Sequence, residues 1–116
     1  MITIANILIT LIALLHVYFL GLEMFLWDKP LGLRTFKQSL EKAQASKVLA
    51  ANQGLYNGFL AAGLFWGLYL DAANIKIFFL CCVLIAGLYG AATVSSRILF
   101  IQALPAAIAL AMLLLN

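Results

Sequence analysis

Ionisable side chains are scarce in this chain. Its 116 residues include four Asp and Glu, seven Lys and Arg, and one His, so charged residues make up 9% and hydrophobic residues 66%. Soluble domains carry about 25% charged and about 45–50% apolar residues. A chain this short cannot hide such an excess in a core of its own, which excludes an ordinary soluble domain and leaves lipid to cover it. The two cysteines, Cys81 and Cys82, are adjacent inside an apolar run. That excludes a disulfide framework and gives no spaced pair for thiol exchange, so they read as small apolar side chains. A lone histidine cannot build a metal centre without carboxylates or a second subunit. Phosphate-binding glycine loops, CxxC, HExxH and a serine nucleophile elbow are all missing. No cofactor, metal or catalytic residue is therefore assigned. No ten-residue alternating pattern supports a barrel. The N-terminus has neither a basic stretch nor a small-residue cleavage site, so the first apolar segment is expected to be retained rather than removed as a signal peptide.

What the chain does have is four long apolar runs. They lie at about 3–27, 47–70, 77–94 and 98–115. A helix of roughly 20 apolar residues crosses a bilayer, and helices satisfy their own backbone polar groups in lipid. The expectation is an all-α integral membrane four-helix bundle, one domain over residues 1–116. Lys29, Arg34, Lys37, Lys42 and Lys47 all fall in the first connection, Arg97 in the third, and Lys76 in the second, where Asp71 offsets it. Basic loops stay in the cytoplasm. Both termini are then extracytoplasmic, the localisation is a multi-pass protein of the cell membrane, and membrane lipids are the first partners. The basic residues read as headgroup contacts, with no nucleic acid implied. Pro30 limits the first helix. Asp71 or Asn74 can cap the third, Ser95 or Ser96 the fourth. Ser39 opens a helix-forming stretch ahead of the second span.

Apart from the tyrosine Tyr18, the first run holds two ionisable groups, His16 and Glu23. A charge at the centre of a membrane helix costs about 2.5–3.5 kcal/mol, less near an interface, so Glu23 calls for a purpose or a partner. Asn52, Gln53, Tyr56 and Asn57 occupy the first turns of the second span, at the same end as Glu23, and Gln102 stands near the start of the fourth. Ile9, Ala13, His16, Leu20, Glu23 and Trp27 share one helical stripe, with His16 about 10 Å deeper than Glu23. Together these residues suggest a polar cavity open to the cytoplasm and narrowing toward His16. The competing reading is structural: amides bonding neighbouring helices, a buried neutral imidazole, and a glutamate that snorkels or pairs with Lys47. Trp27, Trp66 and Tyr69 near span ends read as interfacial anchors, although Trp27 could wall the cavity. Gly54, Gly58, Gly63 and Gly67 in the second span, with Ala86, Gly87, Gly90 and Ala91 in the third, allow close helix packing within the chain or across a homodimer. Pro105 should kink the fourth helix.

The stretches HVYFLGLEMFLW at 16–27 and KVLAANQGLYNGFLAAGLFWGL at 47–68 resemble the small bacterial integral membrane proteins grouped as domain-of-unknown-function family 1304. The resemblance covers essentially the whole chain. It implies a four-span bacterial inner-membrane protein and supplies no activity. Some members carry an epimerase label, for which no catalytic motif is present here. An architectural likeness to the small multidrug-resistance transporters rests on four spans, similar length and a glutamate in the first helix, but here that glutamate lies nearer one end.

Three functions fit. A small-solute transporter linked to protons or cations would use Glu23 as the exchanging group, Asn52, Gln53 and Asn57 as ligands and His16 as an inner relay. An interaction protein would dock a partner through a glycine face. An enzyme acting on a lipid or apolar metabolite is the third choice, because about 10 Å between Glu23 and His16 is long for acid–base work on one atom.

Overall fold

The computed structural model describes residues 2–115, and these are helical with no strand among them. In order they form α1 (Ile2–Met24), α2 (Pro30–Phe36), α3 (Leu40–Ala45), α4 (Lys47–Leu70), α5 (Ala73–Thr93), a π-helical segment (Leu99–Ala103) and α6 (Leu104–Leu114). Two helical stretches, Thr3–Met24 and Ala73–Thr93, are long and apolar enough to cross a membrane, and Leu99–Leu114 is apolar but shorter. The 24 residues of α4 give it ample length, but Asn52, Gln53 and Asn57 dilute its first half.

The charged first connection is more ordered than its composition suggests. α1 stops at Met24 rather than Trp27. Pro30 then starts a new helix: it occupies the first turn of α2, where its missing N–H is no loss and its fixed φ suits the helix. Lys37 closes α2 in the left-handed region at φ 52°. Ser39 caps α3 as its position foretells, its hydroxyl accepting from the Lys42 N–H at 3.2 Å.

Contacts divide the chain into two compact units, Met1–Leu14 with Leu60–Asn116, and Leu15–Phe59. The first unit holds an apolar core of Ile9, Ile12 and Ala13 from α1, Leu64 from α4, Leu80 and Val83 from α5, and Ala106, Ala109 and Leu110 from α6. Small residues set its spacing. A Cβ on Gly87 would lie 2.6 Å from the Ala103 backbone nitrogen, so α5 meets the π segment backbone to backbone. Gly63 faces the Phe79 ring, and Gly67 faces Lys76 and Ile75. The π segment directly precedes Pro105, and its last turn is closed by the Leu104 N–H donating to the Leu99 carbonyl. In a regular α-helix the Pro105 ring would press on the carbonyl four residues back; the wider turn relieves that crowding. The expected kink thus takes the form of a local change of helix type.

Side-chain capping of α5 differs from expectation. The N-cap is Ala72, without a side-chain bond, and Asn74 accepts from the neighbouring Ile75 N–H at 3.0 Å. Asp71 is committed elsewhere. Lys76, which the sequence suggested for a solvated turn, lies in the first turn of α5 and is 2% exposed. Its Nζ donates to Asp71 Oδ1 at 2.8 Å and to Asn6 Oδ1 at 2.9 Å. The lysine therefore joins α1 to the α4–α5 turn. Ser95 does serve the fourth helical stretch, accepting from the Arg97 N–H at 3.3 Å.

Removing one acceptor from a buried ammonium leaves it short of a partner and costs about 1–3 kcal/mol. Asn6→Val should lower the thermal midpoint of the purified protein more than Lys76→Met does, since the methionine removes the charge along with its need.

Candidate functional site

The unit Leu15–Phe59 contains seven of the eight polar candidates. In it α4 rests on the end of α1 through glycine. A Cβ on Gly54 would lie 2.6 Å from Met24 Cγ, 3.1 Å from Glu23 Cβ and 3.2 Å from the Leu20 carbonyl, and one on Gly58 would lie 2.7 Å from Leu20 Cδ1. Asn57 is on the same face of α4 as these glycines and is 7% exposed. Its Nδ2 donates to Glu23 Oε1. The half-buried carboxylate thus takes its hydrogen bond from a buried amide on the facing helix.

The alternative partner for Glu23 is taken. Lys47 Nζ lies 3.1 Å from Asp28 Oδ2. Beside that pair, Trp27 Nε1 donates to Ser46 Oγ at 3.1 Å, and the Ser46 hydroxyl in turn donates to the Lys42 carbonyl at 2.8 Å. The Trp27 ring packs on Phe36 with centroids 4.7 Å apart. Trp27 is accordingly a strut between the end of α1 and the start of α4. These contacts were not anticipated; the only trace of them is the shared spacing, Trp27 with Ser46 and Asp28 with Lys47, which brackets the connection.

The other candidates scatter. His16 is fully buried two turns deeper on the same stripe of α1, its ring edge-on to Phe19 with centroids 5.7 Å apart. Two helical turns along α1 put it about 10 Å from Glu23, beyond hydrogen-bond reach. Asn52, Gln53 and Tyr56 are exposed, and Tyr56 leans on Phe59. Helical rotation separates Asn52 and Tyr56 from Asn57: a face that carries residues 50, 54 and 57 inward turns residues 52 and 56 outward, while Gln53, one turn before Asn57, lies at the edge of that face and is exposed. Gln102 belongs to the other unit, in the π segment, and is half-buried. No group of three or more His, Cys, Asp or Glu that could hold a metal exists among the described residues.

The chain is thus all-helical among its described residues, with a carboxylate on one apolar helix accepting from a buried amide on another. The family model described as "Protein of unknown function (DUF1304)" matches residues 10–114, and the chain belongs to that family. It is similar to "Uncharacterized protein YpaA" of Lactococcus lactis subsp. lactis (strain IL1403), 32% identical over 96 residues, which cover 79% of this chain and 81% of the relative. No solved structure matches.

Two measurements test this geometry. Glu23→Leu leaves the Asn57 amide buried without its acceptor and should cost about 1–3 kcal/mol, while Glu23→Gln keeps an acceptor and should cost less; thermal unfolding of the purified variants reads the difference. The second concerns pH. The hydrogen bond from Lys47 holds the Asp28 carboxyl below the usual range. A carboxyl depressed in the folded state contributes stability that is full above its unfolded pKa of about 3.9 and fades as pH falls through the folded value. Acid titration of stability should therefore lose a component below about pH 4 that is absent in Asp28→Asn.

Proposed function

We propose that this protein is a multi-pass protein of the bacterial cell membrane in which Glu23 and Asn57 form a proton- or cation-responsive site of a small-solute transporter. The helices α1, α4 and α5, and the stretch from the π segment through α6, would be the four spans, with the segment 28–46 in the cytoplasm and both termini outside. The observation that carries the reading is the carboxylate near the end of a membrane-length apolar helix, bonded to a buried amide of another helix. Such a group is expensive in lipid and is typically found where ions or protons pass. Its amide partner carries no charge, so the carboxylate stays available to exchange a proton for a cation. The fully buried His16 lies deeper on the same stripe of α1 and suits an inner relay. Asn52 and Gln53, exposed at the same end of α4, suit the entrance, and Tyr56 borders it.

The test is proton release. Purified protein in weakly buffered detergent should acidify the medium when inorganic or organic cations are added near neutral pH, and Glu23→Gln should not. Equal release from the two proteins would remove Glu23 from the mechanism and the reading with it.

A further inference from the structure

The short helices of the first connection combine two kinds of exposed side chain. Phe25, Leu26, Leu31, Phe36 and Leu40 are exposed, from 36% for Leu26 to 66% for Phe25. Lys29, Arg34, Lys37, Lys42 and Lys47 are exposed among them. Only Lys47 has a carboxylate partner among the described residues. Five basic side chains stand against two acidic ones, Asp28 and Glu41, within residues 25–47.

The segment is also firmly seated. A Cβ on Gly32 would lie 2.0 Å from the Leu26 carbonyl oxygen and 2.8 Å from that of Trp27, so α2 lies directly on the turn that ends α1. The Trp27–Phe36 ring contact and the Trp27–Ser46 hydrogen bond hold it from either side. A seated surface keeps its apolar side chains exposed at little entropic gain, which asks for a partner that covers them.

We propose that α2 and α3 form a platform that docks anionic phospholipid. The headgroup phosphate suits Arg34, whose planar guanidinium can make two parallel bonds, and the lysines around it. The glycerol and upper acyl chain suit the Phe and Leu side chains, as in helices that lie in the plane of the interface. A nucleic acid or an acidic peptide would match the charge and leave the apolar side chains wet. The platform continues directly from the end of α1, where a membrane surface would begin. The proposal rests on the membrane reading and is independent of the role of Glu23.

The experiment compares wild type with K29Q/R34Q/K37Q/K42Q. None of these four side chains has a hydrogen bond or ion pair among the described residues, so the variant should keep its midpoint in neutral detergent. Phosphatidylglycerol and phosphatidylcholine are titrated separately into the micelles, and retained lipid is counted by native mass spectrometry. At about fivefold per basic residue near an anionic surface, wild type should retain phosphatidylglycerol more than tenfold better than phosphatidylcholine, with the advantage lost in the variant and reduced by salt. Equal retention of both lipids, or a variant that keeps the preference, overturns the platform. So does inorganic polyphosphate displacing the lipid as well as excess phosphatidylglycerol does, since that marks a general polyanion site. Carbonate washing of native membranes separates the two readings. A protein released by it refutes the membrane reading, whereas a retained protein without lipid preference refutes the platform alone.

Discussion

A polar side chain on an apolar helix has to find its partner on another part of the chain, and this requirement organises both compact units. In one, Asn57 on α4 donates to Glu23 on α1. In the other, Lys76 on α5 donates to Asp71 and to Asn6 on α1. Apolar contacts between such helices are numerous and poorly directional. Leu and Ile can slide past one another at small cost, but an amide and a carboxylate bond at one register and one rotation. A single bond of this kind is worth only about 0.6 kcal/mol on average in membranes. Its larger effect is to penalise the alternatives, each of which buries an unpaired polar group.

Glycine makes those bonds reachable. Gly54 and Gly58 let α4 approach α1 until backbone and Cβ atoms nearly touch, and Gly87 does the same between α5 and the π segment. At these positions the small-residue spacing serves close contacts within the chain. Dispersion contacts replace the hydrophobic effect as the source of cohesion wherever lipid is the solvent, and they reward the closest approach that the side chains permit.

The pairing of Glu23 with Asn57 was legible as a tendency, since a lone carboxylate in an apolar run needs a partner and amides stood at the same end of the next apolar helix. Its selectivity was not legible. Asn52, Gln53, Tyr56 and Asn57 sit within six consecutive positions, and only the rotation of α4 about its axis, set by Gly54 and Gly58, decides which of them faces α1. The strut from Trp27 to Ser46 and the pairing of Lys47 with Asp28 had no signature of their own, because they depend on how the chain between them is folded back.

The order of residues by itself determined that the chain is helical, where its long apolar helices run, that its charge is gathered between the first two, and that Glu23 is the side chain most in need of explanation. These follow from local quantities: apolar run length, Pro and Ser positions, and the counts of Lys and Arg. Tertiary structure alone decided that Lys76 is buried rather than solvated, that Trp27 bonds Ser46, and that Asn57 is the amide bonded to Glu23. Each of these depends on contacts between residues far apart in the chain, where a neighbouring helix supplies the missing acceptor, the excluded volume or the face to pack on, and no local pattern records which neighbour that will be.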